Sequence, residues 1–284
     1  MEVARWSADY LRGKGVEDSR LNAEYLLAHV LGIDRLQLYL DFDRPLVEDE
    51  LSAYRPLLQR RAAREPLQYL LGSAPFRNLE LRVDARVAIP RPETEYLLDV
   101  LARVAGRDRV FESALDVGTG SGAIAIALAA EGLARSVIAT DISADALEVA
   151  RLNAGACGQS TIVFRRGPLL DPVGDLTFDL VLSNPPYLSE AEWRGAEPEV
   201  REWEPRAAMV AGRGGLALVG AIVAGAAAVL RLEGWLGLEV GSRQAEAVAG
   251  LLGDTGRFRS IEVQEDLTGR QRYVFARRAT HDRH

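Results

Sequence analysis

Apolar side chains recur at helical spacing through the first 74 residues. This spacing predicts three amphipathic helices, and because each helix must bury its apolar face, we expect the three to pack as a small bundle. The predicted faces contain Trp6, Tyr10 and Leu11; Leu21, Tyr25, Leu26, His29 and Val30; and Leu51, Tyr54, Leu57 and Leu58. The apolar neighbours of His29 favour a core histidine over a catalytic one. Residues 1–74 are therefore predicted to form a separate helical domain.

The period of the apolar pattern changes to two between residues 75 and 91. This alternation, with the turn-like pair Asp84-Ala85 inside it, predicts a β-hairpin that links the bundle to the rest of the chain. The alternating residues are Phe76, Leu79, Leu81, Val83, Val87 and Ile89. A helix is expected to begin at Pro92, which suits the first helical turn. Arg91 stands between two prolines, so it either belongs to this helix start or is aimed at a bound molecule.

Strands and helices alternate from about residue 113 to the end of the chain. This alternation predicts a doubly wound α/β fold with a parallel sheet, which places the second domain at residues 92–284. The predicted strands are 114–117, 136–140, 161–165, 178–183, 235–240, 258–265 and 271–276. The predicted helices between them are 121–131, 144–154, 214–231 and 243–252.

A proline-rich tetrapeptide, Asn184-Pro185-Pro186-Tyr187, follows the apolar run 178–182. Because ligands of parallel sheets bind at the carboxyl ends of the strands, this tetrapeptide is a candidate site. Its prolines remove two amide donors and fix two φ angles, so the carbonyls of Asn184 and Pro185 are held in set directions. Stiff acceptors of this kind suit the binding of an NH2 group. The alternative is a loop that only ends the strand.

A glycine-rich loop, Gly118-Thr119-Gly120-Ser121-Gly122, joins the first predicted strand of the sheet to a helix. Glycines allow a tight turn and a close approach to a ligand, and the helix amino terminus offers N–H groups to anionic atoms. Asp141 ends the next strand, where a carboxylate would accept hydrogen bonds from both ribose hydroxyls. The loop and Asp141 together predict a nucleoside-cofactor site. They do not separate a nicotinamide cofactor from S-adenosylmethionine.

The surroundings of these two features favour methyl transfer over hydride transfer. A hydride-transfer enzyme needs an acid or a base near the nicotinamide, and this half of the chain has no suitable histidine, lysine or tyrosine pair. A methyltransferase needs chiefly to bind and orient the acceptor, because a sulfonium already carries a good leaving group. The tetrapeptide at 184–187 supplies the hydrogen-bond acceptors for this binding.

The composition is that of an ordinary globular protein and excludes several other functions. Of the 284 residues, 48% are hydrophobic and 26% are charged. With Cys157 as the only cysteine and His29, His281 and His284 as the only histidines, we expect neither a metal site nor a Ser-His-Asp triad. The net charge of −7 argues against a general electrostatic grip on nucleic acid. The lack of a signal run or a long apolar stretch predicts a cytoplasmic protein without membrane contact.

Six motifs spread over nearly the whole chain form a further pattern. They are EPLQYLLG at 65–72, IPRPETE at 89–95, LDVGTGSGA at 115–123, DIS at 141–143, SNPPY at 183–187 and GRQR at 269–272. Together they closely resemble the HemK/PrmC family, the N5-glutamine methyltransferases of peptide chain release factors. The glycine loop and NPPY are shared with adenine-N6 methyltransferases. EPLQYLLG and IPRPETE are much more specific to the HemK/PrmC family.

The resemblance implies a class I S-adenosylmethionine-dependent methyltransferase domain, whose seven-stranded sheet has its last strand antiparallel. It also implies that the helical domain at 1–74 binds a release factor, with the hairpin at 75–91 as a linker. The acceptor would be the glutamine of the Gly-Gly-Gln motif in class I release factors, and the product would be S-adenosylhomocysteine.

The resemblance also implies a set of site residues. Gly118, Thr119, Gly120, Ser121 and Gly122 would hold the methionine part of the cofactor, Asp141 its ribose and Leu169 its adenine, while Asn184, Pro185, Pro186 and Tyr187, with Arg91, would hold the glutamine. Of these, Asn184, Pro185 and Tyr187 are the expected catalytic residues, and Asn184 is also expected to contact the cofactor. One departure concerns the adenine loop. Similar proteins usually have Gly-Asp there, whereas this chain has Gly167-Pro168, and proline offers no carboxylate to the adenine amino group.

Two alternative functions stay open from the sequence. An adenine-N6 methyltransferase would use the same grip on a flipped base, although the acidic pI of about 5.2 argues against it. A release-factor-binding adaptor with a vestigial catalytic domain is the other. No bound metal and no direct nucleic-acid contact are expected, and a monomer is predicted.

Overall fold

The computed structural model describes residues 2–40 and 43–280, so the predictions for His281 and His284 lie outside the described residues. Contacts divide the chain into two units. The first contains residues 2–73 and Glu197–Trp203, and the second contains Ala74–Ala196 and residues from Glu204 onward. The short segment at 197–203 therefore belongs to the first unit, although the sequence predicted it within the methyltransferase domain.

The helices and strands are defined by the following bounds. The helices are α1 (Glu2–Gly13), α2 (Ser19–Leu31), α3 (Gln37–Leu40), α4 (Glu48–Ala62), α5 (Leu67–Leu71), α6 (Pro92–Ala105), α7 (Ala123–Ala130), α8 (Ala144–Ala156), α9 (Glu190–Arg194), α10 (Pro198–Trp203), α11 (Ala217–Val229) and α12 (Ala245–Asp254). The strands are β1 (Ser73–Phe76), β2 (Leu79–Arg82), β3 (Ala114–Val117), β4 (Val137–Asp141), β5 (Val163–Arg166), β6 (Phe178–Ser183), β7 (Leu230–Glu239), β8 (Phe258–Glu265) and β9 (Gln271–Arg278). No helix among the described residues is both long enough and apolar enough to span a membrane.

Helix α1 is helical as predicted but buries a different face. Its buried face is built from Ala4, Ala8 and Leu11, which lie one turn apart and pack beside α2. Trp6 is 62% exposed and stacks on Tyr10, with the ring centroids 5.7 Å apart. The prediction that Trp6 shares a buried face with Leu11 is therefore wrong. A search for large apolar residues overlooks a face that contains mostly small side chains, which let two helices approach closely.

Helix α2 corrects the prediction for His29 in the same way. His29 is exposed, and so are Leu21 and Tyr25. These three residues are spaced by four, so they lie on one stripe of the helix, and that stripe borders the buried one. The core-histidine prediction is therefore wrong. The buried stripe contains Asn22, Ala23, Leu26 and Leu27.

Helix α4 confirms the third predicted face. Tyr54 and Leu58 are buried, and Leu51 and Leu57 are partly buried. The Tyr54 hydroxyl donates a hydrogen bond of 3.2 Å to the carbonyl of Ala23. This bond joins α4 to α2 inside the helical unit.

A charged cluster holds α10 against the rest of the first unit. The Arg61 side chain is 7% exposed and donates to Glu199 at 2.8 Å and to the side-chain oxygen of Asn22 at 2.7 Å. Arg64 donates to both carboxylate oxygens of Glu199, at 2.7 and 2.5 Å. Burial alone would raise the pKa of Glu199, but the hydrogen bonds from Arg64 and Arg61 outweigh it and lower that pKa. The Glu199 carboxylate is therefore a fixed charge of the helical unit.

The β-hairpin exists, but its turn lies elsewhere. Strands β1 and β2 form a two-stranded sheet and are joined at Arg77-Asn78, where Arg77 adopts a positive φ of 54°. The predicted turn at Asp84-Ala85 comes after both strands and connects to Val87 and Ile89, which are buried without belonging to a strand. Burial against the core produces the same alternation as a strand, which explains the wrong assignment.

The second unit confirms the predicted fold class. Its seven strands are ordered β5-β4-β3-β6-β7-β9-β8, and β9, the last in sequence, runs antiparallel to both of its neighbours. Side chains alternate along the strands between two apolar clusters, one packed against α6 and α7 and the other against α11 and α12. On β3, for example, Ala114 faces the first cluster and Leu115 the second. The sheet is therefore covered by helices on both faces.

The strand order creates a crevice at the centre of the sheet. Strand β3 pairs in parallel with β4 on one side and with β6 on the other, so successive connections leave it in opposite directions. Ligands of doubly wound folds bind at such a switch point, at the carboxyl ends of the strands. The residues that follow Val117, Thr140 and Ser183 therefore meet at one place.

Removal of the Arg61 guanidinium is expected to destabilise the helical unit. In Arg61→Ala, Asn22 loses its buried donor and Glu199 keeps only Arg64, and leaving buried acceptors unsatisfied costs about 2 kcal/mol. Arg55→Ala is the matched control, because Arg55 pairs with Glu48 where both side chains are more than half exposed. It should cost less than about 1 kcal/mol. Urea unfolding followed by circular dichroism measures both variants, and equal losses would contradict the buried role.

Candidate active site

The glycine loop lies directly after β3 and leads into α7. Gly118, Gly120 and Gly122 have φ values of +74°, +55° and +87°, which side-chain-bearing residues rarely adopt. A Cβ at Gly122 would lie 2.9 Å from the Ile126 side chain, so this glycine also permits close packing of the loop. A Cβ at Gly118 or Gly120 would meet nothing within 4 Å. The loop therefore has open space beside the backbone of Gly118 and Gly120.

A buried carboxylate, Asp116, supports this loop from inside. Its Oδ2 accepts hydrogen bonds from the Thr119 hydroxyl at 2.6 Å and from the Ala125 N–H at 3.1 Å. Its Oδ1 has no partner among the described residues. Burial raises the pKa of Asp116 to about 7 despite these hydrogen bonds. Sequence reasoning treated Asp116 only as part of a strand.

Asp141 reaches the glycine loop from the end of β4. Its Oδ2 accepts from the Gly120 N–H and its Oδ1 from the Ser143 N–H, both at 2.9 Å. The carboxylate is half-buried, and each oxygen keeps a further lone-pair direction. The structure thus brings Asp141 and the loop together, with the carboxylate at the rim of the crevice.

Asn153, a residue that the sequence did not single out, braces the same loop from α8. Its side-chain N–H group donates to the carbonyls of Ser121 and Arg82, and its oxygen accepts from the Arg82 N–H. These bonds measure 2.9, 3.0 and 2.8 Å, and Asn153 is fully buried. Strand β2 and the glycine loop are thereby tied to one side chain. Its only sequence signal is a polar residue at a helix position that faces the core.

Leu169 lies beside β4, in the loop after β5. Its carbonyl accepts a hydrogen bond of 3.0 Å from the Thr140 hydroxyl, and its own φ is +45°, a strained value for a leucine. Gly167 precedes it with a φ of +153°, and a Cβ there would collide with Pro172 at 2.6 Å. Pro168 is exposed. The loop is therefore held next to the end of β4, where the Gly167 N–H also donates to the Asp141 carbonyl at 3.0 Å.

The tetrapeptide at 184–187 begins directly after β6. Ser183 anchors it, because its hydroxyl donates to the Val117 carbonyl of the neighbouring strand at 2.6 Å. The side-chain N–H group of Asn184 donates to the Thr94 hydroxyl at 2.9 Å. Thr94 in turn donates to the Glu239 carboxylate at 2.8 Å. Asn184 is therefore held through its nitrogen, which leaves its oxygen as an acceptor.

The far end of the tetrapeptide is held by its backbone. The Gln244 side chain donates to the Tyr187 carbonyl at 2.9 Å, and a Cβ at Gly215 would lie 2.1 Å from that carbonyl, so only glycine fits. Burial raises the pKa of the Tyr187 hydroxyl to about 12. Pro185 is buried and Pro186 half-buried. Within residues 2–40 and 43–280, no donor is bonded to the Pro185 carbonyl or the Asn184 side-chain oxygen.

Arg91 stands just before α6, as predicted, and is paired within the protein. Its guanidinium forms an ion pair with Glu204, whose side chain is 1% exposed. Glu204 also accepts the Ile89 N–H at 2.9 Å. These bonds hold the start of the IPRPETE segment to Glu204 within the second unit. The expected contact between Arg91 and a substrate stays a prediction.

The residues around the crevice fit a nucleoside cofactor. The open side of the glycine loop leaves room for a ligand backbone, and Asp141 offers carboxylate oxygens at the adjacent strand end. The half-buried Leu169 provides an apolar surface one strand further along. No group of three or more histidine, cysteine, aspartate or glutamate side chains arranged for a metal ion occurs within the described ranges.

The fold and this site define a class I S-adenosylmethionine-dependent methyltransferase. Solved structures with the same fold include a methyltransferase from Pyrococcus furiosus, with a TM-score of 0.55 at 19% identity over 72% of this chain and 90% of that chain. The 16S rRNA N2 G1207 methyltransferase of Thermus thermophilus has a TM-score of 0.52 at 18% identity over 72% of this chain and 49% of that chain.

Sequence comparisons identify the family. Residues 2–72 match the PrmC N-terminal domain, and residues 92–197 match the methyltransferase small domain. The release factor glutamine methyltransferase of Geobacter sulfurreducens is 43% identical over 97% of this chain and 95% of its own length. The release factor glutamine methyltransferase of Chlorobaculum tepidum is 44% identical over 94% of this chain and 92% of its own length. The chain belongs to the release factor glutamine methyltransferase family, which confirms the resemblance found in the sequence.

Ionisation of Asp116 is expected to weaken folding as the pH rises. An unfolded aspartate titrates near pH 4, whereas burial raises the folded pKa to about 7. The folded state therefore holds more protons between these values, and the free energy of unfolding falls with increasing pH. In Asp116→Asn, the decline between pH 5 and 8 should be smaller by about 3 kcal/mol.

Urea unfolding at pH 5, 6, 7 and 8 measures this difference. Asp145→Asn, at an exposed position of α8, is the control and should follow the wild-type pH dependence. Parallel curves for Asp116→Asn and the wild type would contradict the assignment of a raised pKa to Asp116.

Proposed function

We propose that this protein transfers a methyl group from S-adenosylmethionine to the side-chain amide nitrogen of the glutamine in the Gly-Gly-Gln motif of class I release factors. The observation that carries the proposal is the state of Asn184. Its nitrogen is bonded to Thr94, so its oxygen and the Pro185 carbonyl are two acceptors at the crevice. Two acceptors match the two N–H groups of a primary amide. The names of the relatives agree with this substrate.

The proposed cofactor contacts follow the geometry of the crevice. The open side of Gly118–Gly122 would receive the methionine part, and the Asp141 carboxylate would accept hydrogen bonds from the ribose hydroxyls. Leu169 packs against the adenine. Pro168 supplies no carboxylate to the adenine amino group, so in this chain apolar contact and backbone groups hold the base.

The proposed mechanism turns a poor nucleophile into an adequate one. The lone pair of a carboxamide nitrogen is delocalised into its carbonyl, as in a peptide bond. Asn184 Oδ1 and the Pro185 carbonyl accept both N–H groups from directions that do not suit a planar amide, which favours pyramidalisation and returns electron density to nitrogen. Tyr187 packs against the amide. No base is needed before transfer, because the extra proton becomes acidic once nitrogen is alkylated.

Orientation supplies much of the remaining rate enhancement. The cofactor, when bound, provides an electrophilic methyl group on a sulfonium. The rigid Pro185-Pro186 backbone and the bond from Gln244 to Tyr187 would hold the acceptor amide in one orientation, and such positioning of the reacting groups is worth several kcal/mol of the barrier, about 7 or more in the best cases.

The division of labour between the parts of the chain is also a proposal. Residues 1–74 bind the release factor, residues 75–91 link the two domains, and residues 92–284 catalyse the methyl transfer. The protein acts as a cytoplasmic monomer without direct contact to nucleic acid. The ion pairs of Arg61 and Arg64 with Glu199 keep α10 attached to the helical unit.

A transfer assay with tritiated S-adenosylmethionine tests the proposed function. Release factor should be labelled, whereas its variant with alanine in place of the Gly-Gly-Gln glutamine, and duplex DNA, should not. Labelling of DNA would favour the adenine-N6 alternative. Binding of the cofactor without any transfer would favour the adaptor.

Asn184→Ala is expected to lower turnover without preventing cofactor binding. Loss of one preorganised acceptor in a transition state costs about two orders of magnitude in kcat or more. The dissociation constant of the cofactor, measured by calorimetry, should stay within a few-fold of the wild type. An equal loss in both quantities would show that Asn184 chiefly binds the cofactor.

Asp141→Ala is expected to have the opposite effect. Losing a charged acceptor of two ribose hydroxyls should weaken cofactor binding by about 10- to 100-fold. Turnover at saturating cofactor should fall less. Asp145→Ala, at an exposed position of α8, is the control. An unchanged affinity in Asp141→Ala would remove this carboxylate from the site.

A further inference from the structure

We propose that Thr94 and Glu239 are positioning residues that determine which end of the Asn184 amide faces the acceptor nitrogen. This inference rests on the proposed function. It concerns two buried side chains that are hydrogen-bonded in series to the nitrogen of Asn184, and the proposed function assigns neither of them a contact with the acceptor or the cofactor.

The three side chains form one hydrogen-bonded chain within the second unit. Thr94 comes from the first turn of α6, Asn184 from the loop after β6, and Glu239 from the end of β7, the neighbour of β6 in the sheet. The bonds measure 2.9 Å from Asn184 to Thr94 and 2.8 Å from Thr94 to Glu239. Thr94 is 5% exposed and Glu239 1% exposed, so water does not compete at either group.

The chemistry of these groups fixes which atom donates in each of the two hydrogen bonds. An ionised carboxylate only accepts, so the Thr94 hydroxyl must donate its single proton to Glu239. The Thr94 oxygen is then left with lone pairs only, and its other partner must be a donor. The nitrogen end of the Asn184 amide satisfies this requirement, whereas the oxygen end would place two acceptors against each other. An amide has nearly the same shape either way, so this network, and not packing, selects its orientation.

The direction matters because the acceptor nitrogen also carries two N–H groups. With the observed orientation, Asn184 presents its oxygen and accepts one of them. A flipped Asn184 would present its own NH2 group to the NH2 group of the acceptor amide. Two donors would then face each other, and the acceptor would lose one of its two hydrogen bonds. Reversal should therefore lower turnover and leave cofactor binding intact.

The ionisation of Glu239 controls the direction. The charged and titratable groups around this carboxyl are Arg91 and Glu93 at the start of α6, Tyr187 after β6, and Arg272 and Tyr273 on β9. Burial raises the pKa of Glu239 to about 7, despite the hydrogen bond from Thr94 and the charge of Arg272. A protonated Glu239 donates to Thr94, which frees the Thr94 proton for the oxygen of a flipped Asn184. Turnover should therefore fall as the pH drops below about 7.

Substitutions at Thr94 separate this role from simple packing. Thr94→Val keeps the shape but removes the hydroxyl, and kcat should fall at least ten-fold while the cofactor dissociation constant changes less than three-fold. Thr94→Ser keeps the hydroxyl and should retain kcat within about three-fold. Thr161→Val, at an exposed position, is the control. A kcat within two-fold of the wild type in Thr94→Val, or equal losses in the valine and serine variants, would overturn the proposal.

The pH profile of kcat tests Glu239. Glu239→Gln has the same shape but offers Thr94 either an acceptor or a donor, so it no longer fixes the direction. The variant should show a lower kcat and no acid limb near pH 7. An acid limb like that of the wild type, with an undiminished kcat, would contradict the role of Glu239. Asp116, whose pKa burial also raises to about 7, is present in both proteins and cancels in this comparison.

A spectroscopic measurement tests the inference without any methyl acceptor. The chain has four asparagines, Asn22, Asn78, Asn153 and Asn184, so a protein labelled with 15N-asparagine gives few side-chain amide signals. The signal missing from Asn184→Asp identifies Asn184. Its hydrogen exchange should be slow in the wild type and in Thr94→Ser, and at least ten-fold faster in Thr94→Val.

The outcome of that measurement is independent of the substrate. Unchanged exchange in Thr94→Val would overturn the positioning role, even if release factor is methylated. Faster exchange, together with no methylation of release factor by the wild type, would leave the positioning of Asn184 intact and disprove the proposed acceptor.

Discussion

The parallel pairing of β3 with β4 on one side and with β6 on the other is the constraint on which the site depends. In this register Val117 lies beside both Thr140 and Ser183, so the three strands end level with one another. The glycine loop, Asp141 and Asn184 come directly after Val117, Thr140 and Ser183, and they meet only for that reason. A slip of one residue in either pairing would turn the side chains of a strand to the opposite face and separate the site.

Much of this arrangement is readable from the sequence because its determinants are local. Strands β3 and β6 begin and end where their apolar runs do, at 114–117 and 178–183. The positive φ values of the glycine loop and the stiff backbone at Pro185-Pro186 are properties of single residues. Because parallel strands align their carboxyl ends, these local signals also placed the loop, Asp141 and the tetrapeptide on one edge. The long helix expected from residue 214 starts only at Ala217, because glycines precede it.

The remaining features depend on contacts between residues distant in sequence. Thr94 and Glu239 are 145 positions apart, and nothing near either one indicates the other. Asn153 likewise becomes meaningful only when β2 and the glycine loop lie on both sides of it. The errors at Trp6 and His29 have a related cause. A helix buries whichever stripe its neighbour leaves room for, and in α1 that stripe contains the small residues Ala4, Ser7 and Ala8, whose sequence signal is weak.

The position of α10 limits how such chains can be recombined. A single cut near residue 74 does not separate two complete units, because Glu197–Trp203 belongs with the helices that come before the cut. The shorter piece would carry Arg61 and Arg64 without their carboxylate, and the longer piece would carry Glu199 without a guanidinium. An exchange of the helical unit between relatives therefore needs a second, internal replacement. That replacement lies shortly after Tyr187, so the choice of helical unit and the sequence that follows the acceptor loop must be inherited together.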